Sequence, residues 1–153
     1  MSRQFIAPAI RTQNDLGAVE LVASFEISLE LEPREIERTA RGERIHQAVL
    51  GGTVKGPRLS GTVYPQGGGE FGIVRSDGVE ELFTRLLLVA DNEEWLYTQL
   101  SGYVARDGYA RFQAVFDADR QGPHAWLNES MFIGSIDIAD DGRSRTMTYY
   151  EAV

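Results

Sequence analysis

Cysteine is absent from the 153 residues, which excludes a disulfide frame, a thiolate metal site and a thiol nucleophile. Lysine occurs once, as Lys55, so fourteen of the fifteen basic residues are arginine. A guanidinium tolerates burial and bidentate pairing better than an ammonium. The two histidines, His46 and His124, lie far apart without His-x-His or His-Glu-x-x-His spacing. No His-based metal site has enough ligands, and no loop has the Asp-x-Asp-x-Asp spacing of a calcium site, so no metal is expected. Long hydrophobic runs are also missing: nothing approaches the roughly 18 apolar residues of a spanning helix. The stretch MSRQFIAPAIRTQNDLG lacks the continuous apolar segment of a secretion signal. A cytoplasmic location and no membrane partner are therefore expected, and the glycosylation tripeptide Asn128-Glu129-Ser130 is discounted for the same reason.

Positive charge is scarce as well. Twenty-three acidic against fifteen basic residues give a formal charge of −8, which repels phosphate backbones unless the cations form one patch. They are scattered along the chain, so no nucleic-acid partner is expected. With 42% apolar and 25% charged residues the chain has the composition of a globular protein rather than a disordered one, and its length suits one domain.

What is present is strand periodicity. Residues 1–20 mix Pro, Gln, Asn and Gly and read as an irregular arm ahead of a single domain over 21–153. Phe25, Ile27, Leu29 and Leu31 alternate with Glu26, Ser28, Glu30 and Glu32, the pattern of a strand with one buried face. Pro33 closes it, and the charged stretch 34–44 suits a surface connection with at most a short helical turn. Strand-like runs separated by turn residues follow at 45–50, 53–54, 58–64, 71–75, 82–90, 94–101, 109–116, 125–138 and 145–153. Asp140-Asp141-Gly142 signals the hairpin into the last of them. So many short strands predict an all-β protein, a single antiparallel β-barrel, because an open sheet of that size leaves exposed edges. The Leu-rich stretch 79–90 fits a helix equally well by periodicity.

Familiar chemical motifs fail on their mechanics. Gly67-Gly68-Gly69-Glu70-Phe71-Gly72 matches the dinucleotide glycine pattern, but Ile73-Val74-Arg75 and another turn follow instead of the required helix. Neither a Gly-x-Ser-x-Gly elbow nor a Walker sequence occurs. No cofactor is expected.

The residues that remain are arginines, carboxylates and aromatics at strand or strand-end positions. In a small barrel, polar residues that alternate inward line a ligand cavity. Glu70, Asp77, Arg58 and Arg85 are the catalytic candidates; Arg75, Tyr97, Tyr103, Trp126 and Asn128 are the ligand-binding ones. Arg85 shares a strand face with Phe83, Leu87 and Val89, where an unpaired guanidinium is costly to bury. Arg58 shares a polar row with Ser60, Thr62 and Tyr64. Arg75 with Asp77 also reads as a turn ion pair, and Trp126 as a core residue.

The run Gly51–Val63, followed by Gly67-Gly68-Gly69-Glu70-Phe71, Arg75-Ser76-Asp77-Gly78, Ala125-Trp126-Leu127-Asn128 and Phe132-Ile133-Gly134, resembles the family catalogued as domain of unknown function 3237, over roughly residues 22–153. The resemblance implies a compact antiparallel β-barrel of lipocalin or calycin type with no agreed biochemical role. The family's motif positions map onto Arg58, Asp77, Arg85, Trp126 and Asn128. The family often carries Asp-Trp after the glycine turn where this chain has Glu70-Phe71, so the carboxylate is kept and the indole is not.

Two readings of function follow. In one, Glu70 or Asp77 acts as general base while Arg58 or Arg85 stabilises a developing enolate or carboxylate, in a cofactor-free isomerisation, cyclisation or elimination on a small carbonyl or aromatic compound. In the other, the same cavity binds a small ligand without transforming it. Either way the expected partner is a small molecule, with a homo-oligomer left open.

Overall fold

The computed structural model describes residues 18–153, and the arm expected at 1–20 lies outside the described residues as far as Gly17. Glu20 is already tied to the end of the chain, exchanging backbone hydrogen bonds of 3.0 and 2.9 Å with Val153. The strands are β1 (Leu21–Leu31), β2 (Glu35–Thr39), β3 (Gly42–Lys55), β4 (Gly61–Val63), β5 (Gly69–Glu70), β6 (Ile73–Val74), β7 (Glu80–Ala90), β8 (Trp95–Val104), β9 (Ala110–Asp117), β10 (Met131–Ile138) and β11 (Ser144–Ala152). A 3-10 helix spans Ala125–Glu129, and no helix among the described residues is long and apolar enough to cross a membrane.

The pairing runs β1-β11-β10-β9-β8-β7 in antiparallel register. The short β4, β5 and β6 together fill one place between β7 and β3, and β3 pairs back onto β1, closing an eight-stranded barrel. Closure removes the sheet edges that an open arrangement would expose. β2 continues along the edge of β3 beyond β1, with every residue exposed.

Period-two alternation sends one row of each strand inward. Phe25, Ile27, Leu29 and Leu31 are buried on β1 as the sequence predicts. The Leu-rich stretch is strand β7, not helix, with Leu82, Leu86, Leu88 and Ala90 inside. Near the end of the barrel where β7 finishes, Phe25, Phe112, Phe116, Phe132 and Tyr149 interlock, Phe25 and Tyr149 stacking at 4.5 Å and Phe112 meeting Tyr149 edge-on at 4.7 Å. Offset and edge-on contacts are the favoured geometries for such rings. They fill the interior where the sequence suggested a ligand cavity.

Three segments differ from expectation. The stretch 34–44 is not a surface connection but strand β2 and the start of β3, turning at Gly42 with φ +136°. It shows no alternation because both faces of β2 meet water. Within 58–64 only Gly61–Val63 is strand, so Arg58 sits in a loop. The run 125–138 opens as the 3-10 helix and becomes strand only at Met131. The hairpin at Asp140-Asp141-Gly142 forms as predicted, with Gly142 at φ +69°.

Candidate active site

Glu70 is carried inward by β5, which sits between β3 and β7 with Glu70 opposite Gln47 on one side and Thr84 on the other. Its side chain is wholly buried, at 0% exposure. Oε2 accepts hydrogen bonds from Thr84 Oγ1 at 2.7 Å and from the Phe83 backbone N–H at 3.2 Å. Oε1 has no hydrogen-bond partner. The nearest cation is Arg145, buried on β11, whose Nη1 lies 3.7 Å from Oε1. Arg145 Nη2 donates to Gln47 Oε1 at 3.0 Å, and Gln47 Nε2 donates in turn to the carbonyls of Glu32 and Gly142.

This network holds one carboxyl group in an environment that opposes its charge. Burial pushes the Glu70 pKa above the ordinary 4.5; Arg145 and the Thr84 hydrogen bond act in the other direction and recover only part of the shift. A carboxyl so placed titrates closer to neutrality than an exposed one, which is the property a proton-transferring group needs.

Outside this network lies a groove of about 690 Å³ whose wall includes Arg44, Phe71, Gly72, Glu81, Phe83, Tyr103 and Arg111. Gly72 separates the groove from Glu70. A Cβ at position 72 would stand 3.1 Å from Glu70 Oε1 and 2.6 Å from the Glu81 carbonyl oxygen, so only glycine leaves this thin wall in place. The groove thus carries two guanidinium groups, one carboxylate and, with Phe112, four aromatic rings, with the unpartnered oxygen of Glu70 behind it.

The sequence candidates do not line one cavity. Tyr103 lines the groove, and Glu70 lies buried behind its Gly72 wall. Arg75 and Asp77 pair in the turn after β6, where Asp77 Oδ1 also accepts from the Val79 N–H at 3.1 Å and Gly78 takes φ +86°. The Arg75 hydrogen bonds hold the Asp77 carboxyl down to about 2, which makes it a weak base and a builder of the turn. Arg75 also reaches Glu81 on the groove wall, at 3.4 Å. Arg85 points outward and is exposed, so it avoids the cost of burial, and its guanidinium lies 5.1 Å from the Phe83 ring centroid. Tyr97 also faces outward, accepting from Gln99 Nε2 at 2.6 Å.

Arg58, Trp126 and Asn128 gather near the other end of the barrel. Gly61, just past Arg58, pairs with Ala90, whereas Glu70 pairs with Thr84, about 20 Å apart along β7 at the rise of a strand. The Arg58 guanidinium stacks 3.7 Å from the Trp126 ring centroid and reaches Glu151 at 3.4 Å. Asn128 clamps the 3-10 helix to the end of β9, accepting from Ala118 N–H at 2.7 Å and donating to its carbonyl at 3.0 Å. Near this pair His124 contacts Glu94.

Arg145, Gln47 and Thr84 were not among the sequence candidates. Their signal was parity: Arg145 stands in register with Met147 and Tyr149, and Gln47 with Ile45 and Val49, rows that are otherwise apolar and buried.

Solved structures share this barrel. A beta-barrel-like protein from Acinetobacter baumannii is 22% identical, with 98% of this chain and 100% of that one covered at a TM-score of 0.81. A protein of unknown function from Clostridium acetobutylicum is 20% identical over 89% of this chain and 98% of its own, at 0.79. A protein described as an enzyme from Penicillium herquei is 19% identical over 89% and 94%, at 0.70. These likenesses establish fold alone. No curated protein matches the sequence. The family model covers the run from Gly51 to Val63, the glycine turn before Glu70 and the Arg75–Gly78 turn, but ends before Trp126. Since residues 19–108 match the model described as protein of unknown function (DUF3237), the chain belongs to that family.

Proposed function

We propose that this protein is a cofactor-independent acid–base enzyme that isomerises, cyclises or eliminates from a small anionic aromatic or carbonyl compound held in the Glu70 groove. The observation that carries the reading is the Glu70 carboxyl: wholly buried, raised in pKa, with Oε1 unpartnered behind Gly72. A catalytic acid or base needs a tuned proton affinity and a free oxygen directed at the reacting atom. Arg145 acts on Glu70 rather than on substrate, balancing its charge when the proton leaves. Arg44 and Arg111 supply cations for a carboxylate, phenolate or enolate in a chain that is otherwise acidic. Phe71, Phe83 and Tyr103 supply ring faces. In the proton transfer, the thin wall at Gly72 gives way to substrate, and Oε1 takes a proton from one substrate atom and returns it at another, so no other reactant is consumed.

The test is a thermal-shift screen of phenolic and carbonyl carboxylates, with each hit followed by NMR for chemical change. Ligands that bind the native state raise its melting temperature with occupancy. Arg44→Ala and Arg111→Ala are expected to weaken a hit about tenfold each, the loss of about 1.4 kcal/mol. Glu70→Gln should keep binding and lose conversion. Unchanged turnover in Glu70→Gln overturns the acid–base assignment. A hit that the native protein binds and never converts points to the second reading, a binding barrel.

A further inference from the structure

The outer face of the barrel beside this groove carries an uncharged band. Leu21 pairs with Ala152 and Ala152 with Met131. Val115 comes next, one step along the register that pairs Phe132 with Ala114. Immediately beside this row, Tyr150, Ile133, Gln113 and Ser101 are register partners across four strands. None of these side chains is ionisable at neutral pH, although a quarter of the chain is charged. Met131 is 72% exposed, Val115 64% and Ile133 46%.

Outward rows of a barrel strand are ordinarily polar, so adjacent exposed apolar residues across several strands mark a surface that something covers. We infer that a second copy of this chain covers it, face to face. The charge distribution favours this occupant over a basic partner. Two chains of −8 repel one another wherever their carboxylates face, and this band is where they can meet without that repulsion. A basic foreign partner would gain nothing here and would be drawn to the carboxylates of β1 and β2. A two-fold contact needs only a self-complementary patch, which a neutral apolar row provides. The band also runs into the candidate active site, since Phe83, Ser101, Gln113 and Ile133 line both the groove and the smaller depression over Met131 and Val115. A second copy seated there walls the open side of the groove. The inference does not rest on the acid–base reading, because it concerns the face and not Glu70.

Sedimentation velocity tests it. The native chain should sediment as an assembly of at least twice 17.0 kDa, and Met131→Glu should sediment as monomer at the same concentration. Thr53→Glu, at an exposed position on β3 away from the band, should leave the assembly intact. Because the chain has no cysteine, single-cysteine variants give a second reading that does not depend on the glutamate variant folding. Val115→Cys should cross-link to a covalent dimer under mild oxidation, and Thr53→Cys should not. A native chain that is monomeric at about 100 µM, where mass action favours association, overturns the inference and leaves the face to another partner. Equal cross-linking of the two cysteine variants overturns it as well.

Discussion

Glu70 Oε1 and Arg145 Nη1 stand 3.7 Å apart inside the barrel, opposite charges without a hydrogen bond between them. The pair is close enough for attraction and too far for the short contact that best offsets desolvation. Arg145 is therefore the group whose removal Glu70 should feel most. Arg145→Met should cost about 3–5 kcal/mol near pH 8, the penalty for a buried charge left alone, and less near pH 5, where Glu70 escapes by protonation. Adding Glu70→Gln should recover most of the loss. Urea unfolding of the two variants at both pH values checks this, and a pH-independent cost would show that Arg145 contributes packing only.

The two perturbed carboxyls give stability opposite pH dependences. The folded pKa of Glu70 is raised above 4.5, so its stabilising contribution is complete below the unfolded value and is lost as pH rises through the folded one. Asp77 is depressed from 3.8 to about 2, so its contribution is present above 3.8 and is lost as pH falls toward 2. Glu70→Gln should flatten the decline in melting temperature on the alkaline side of pH 4.5. Asp77→Asn should differ from the native chain above pH 4 and converge with it at the acid end. Parallel melting curves across pH for native and Glu70→Gln proteins would contradict the burial of an ionising group at position 70.

The barrel was legible in the sequence wherever one face of a strand meets water and the other does not. Phe25 to Leu31 and the Asp140–Gly142 hairpin carried that signal. β2 did not, because an edge strand wet on both faces has no period to read. Arg85 was misplaced for the converse reason: β7 is apolar in both rows, Phe83-Leu87-Val89 outside and Leu82-Leu86-Leu88 inside, so parity could not choose the inner one. The site was half legible. Glu70 stood out beside its glycine turn, whereas its partner Arg145 is brought to it only by closure of β3 onto β1, a pairing that local pattern does not encode.

Gly134 is fixed by a ring and a backbone carbonyl. A Cβ there would lie 2.1 Å from Phe112 Cζ and 2.5 Å from the Thr148 carbonyl oxygen, and Phe112 cannot retreat because Tyr149 packs against it at 4.7 Å. Gly134→Ala should therefore destabilise the protein by about 1–3 kcal/mol through overpacking. Phe112→Leu, which alone loses packing, should cost less in the Gly134→Ala background than in the native chain, since neighbouring substitutions couple. Additive losses in a double-mutant cycle would show that the strand shifts instead and the ring is not the obstacle.

Asn128 and Arg58 both bear on Trp126, Asn128 through the 3-10 helix that carries it and Arg58 by stacking on its ring. The Asn128 amide makes both of its hydrogen bonds to Ala118, and losing them in Asn128→Ala should cost about 1–2 kcal/mol at the net value of such bonds. The same change frees the 3-10 helix that presents Trp126 to the Arg58 guanidinium. Of the two tryptophans, Trp95 is 62% exposed and emits as a solvated indole in every variant. Arg58→Ala should shift the remaining emission to the red by uncovering the Trp126 face, with little loss of stability because the cation is itself exposed. Asn128→Ala should give the same shift together with the stability loss. If Arg58→Ala leaves the emission unchanged, the stack at 3.7 Å does not persist in solution, and the Arg58 loop is held by Glu151 instead.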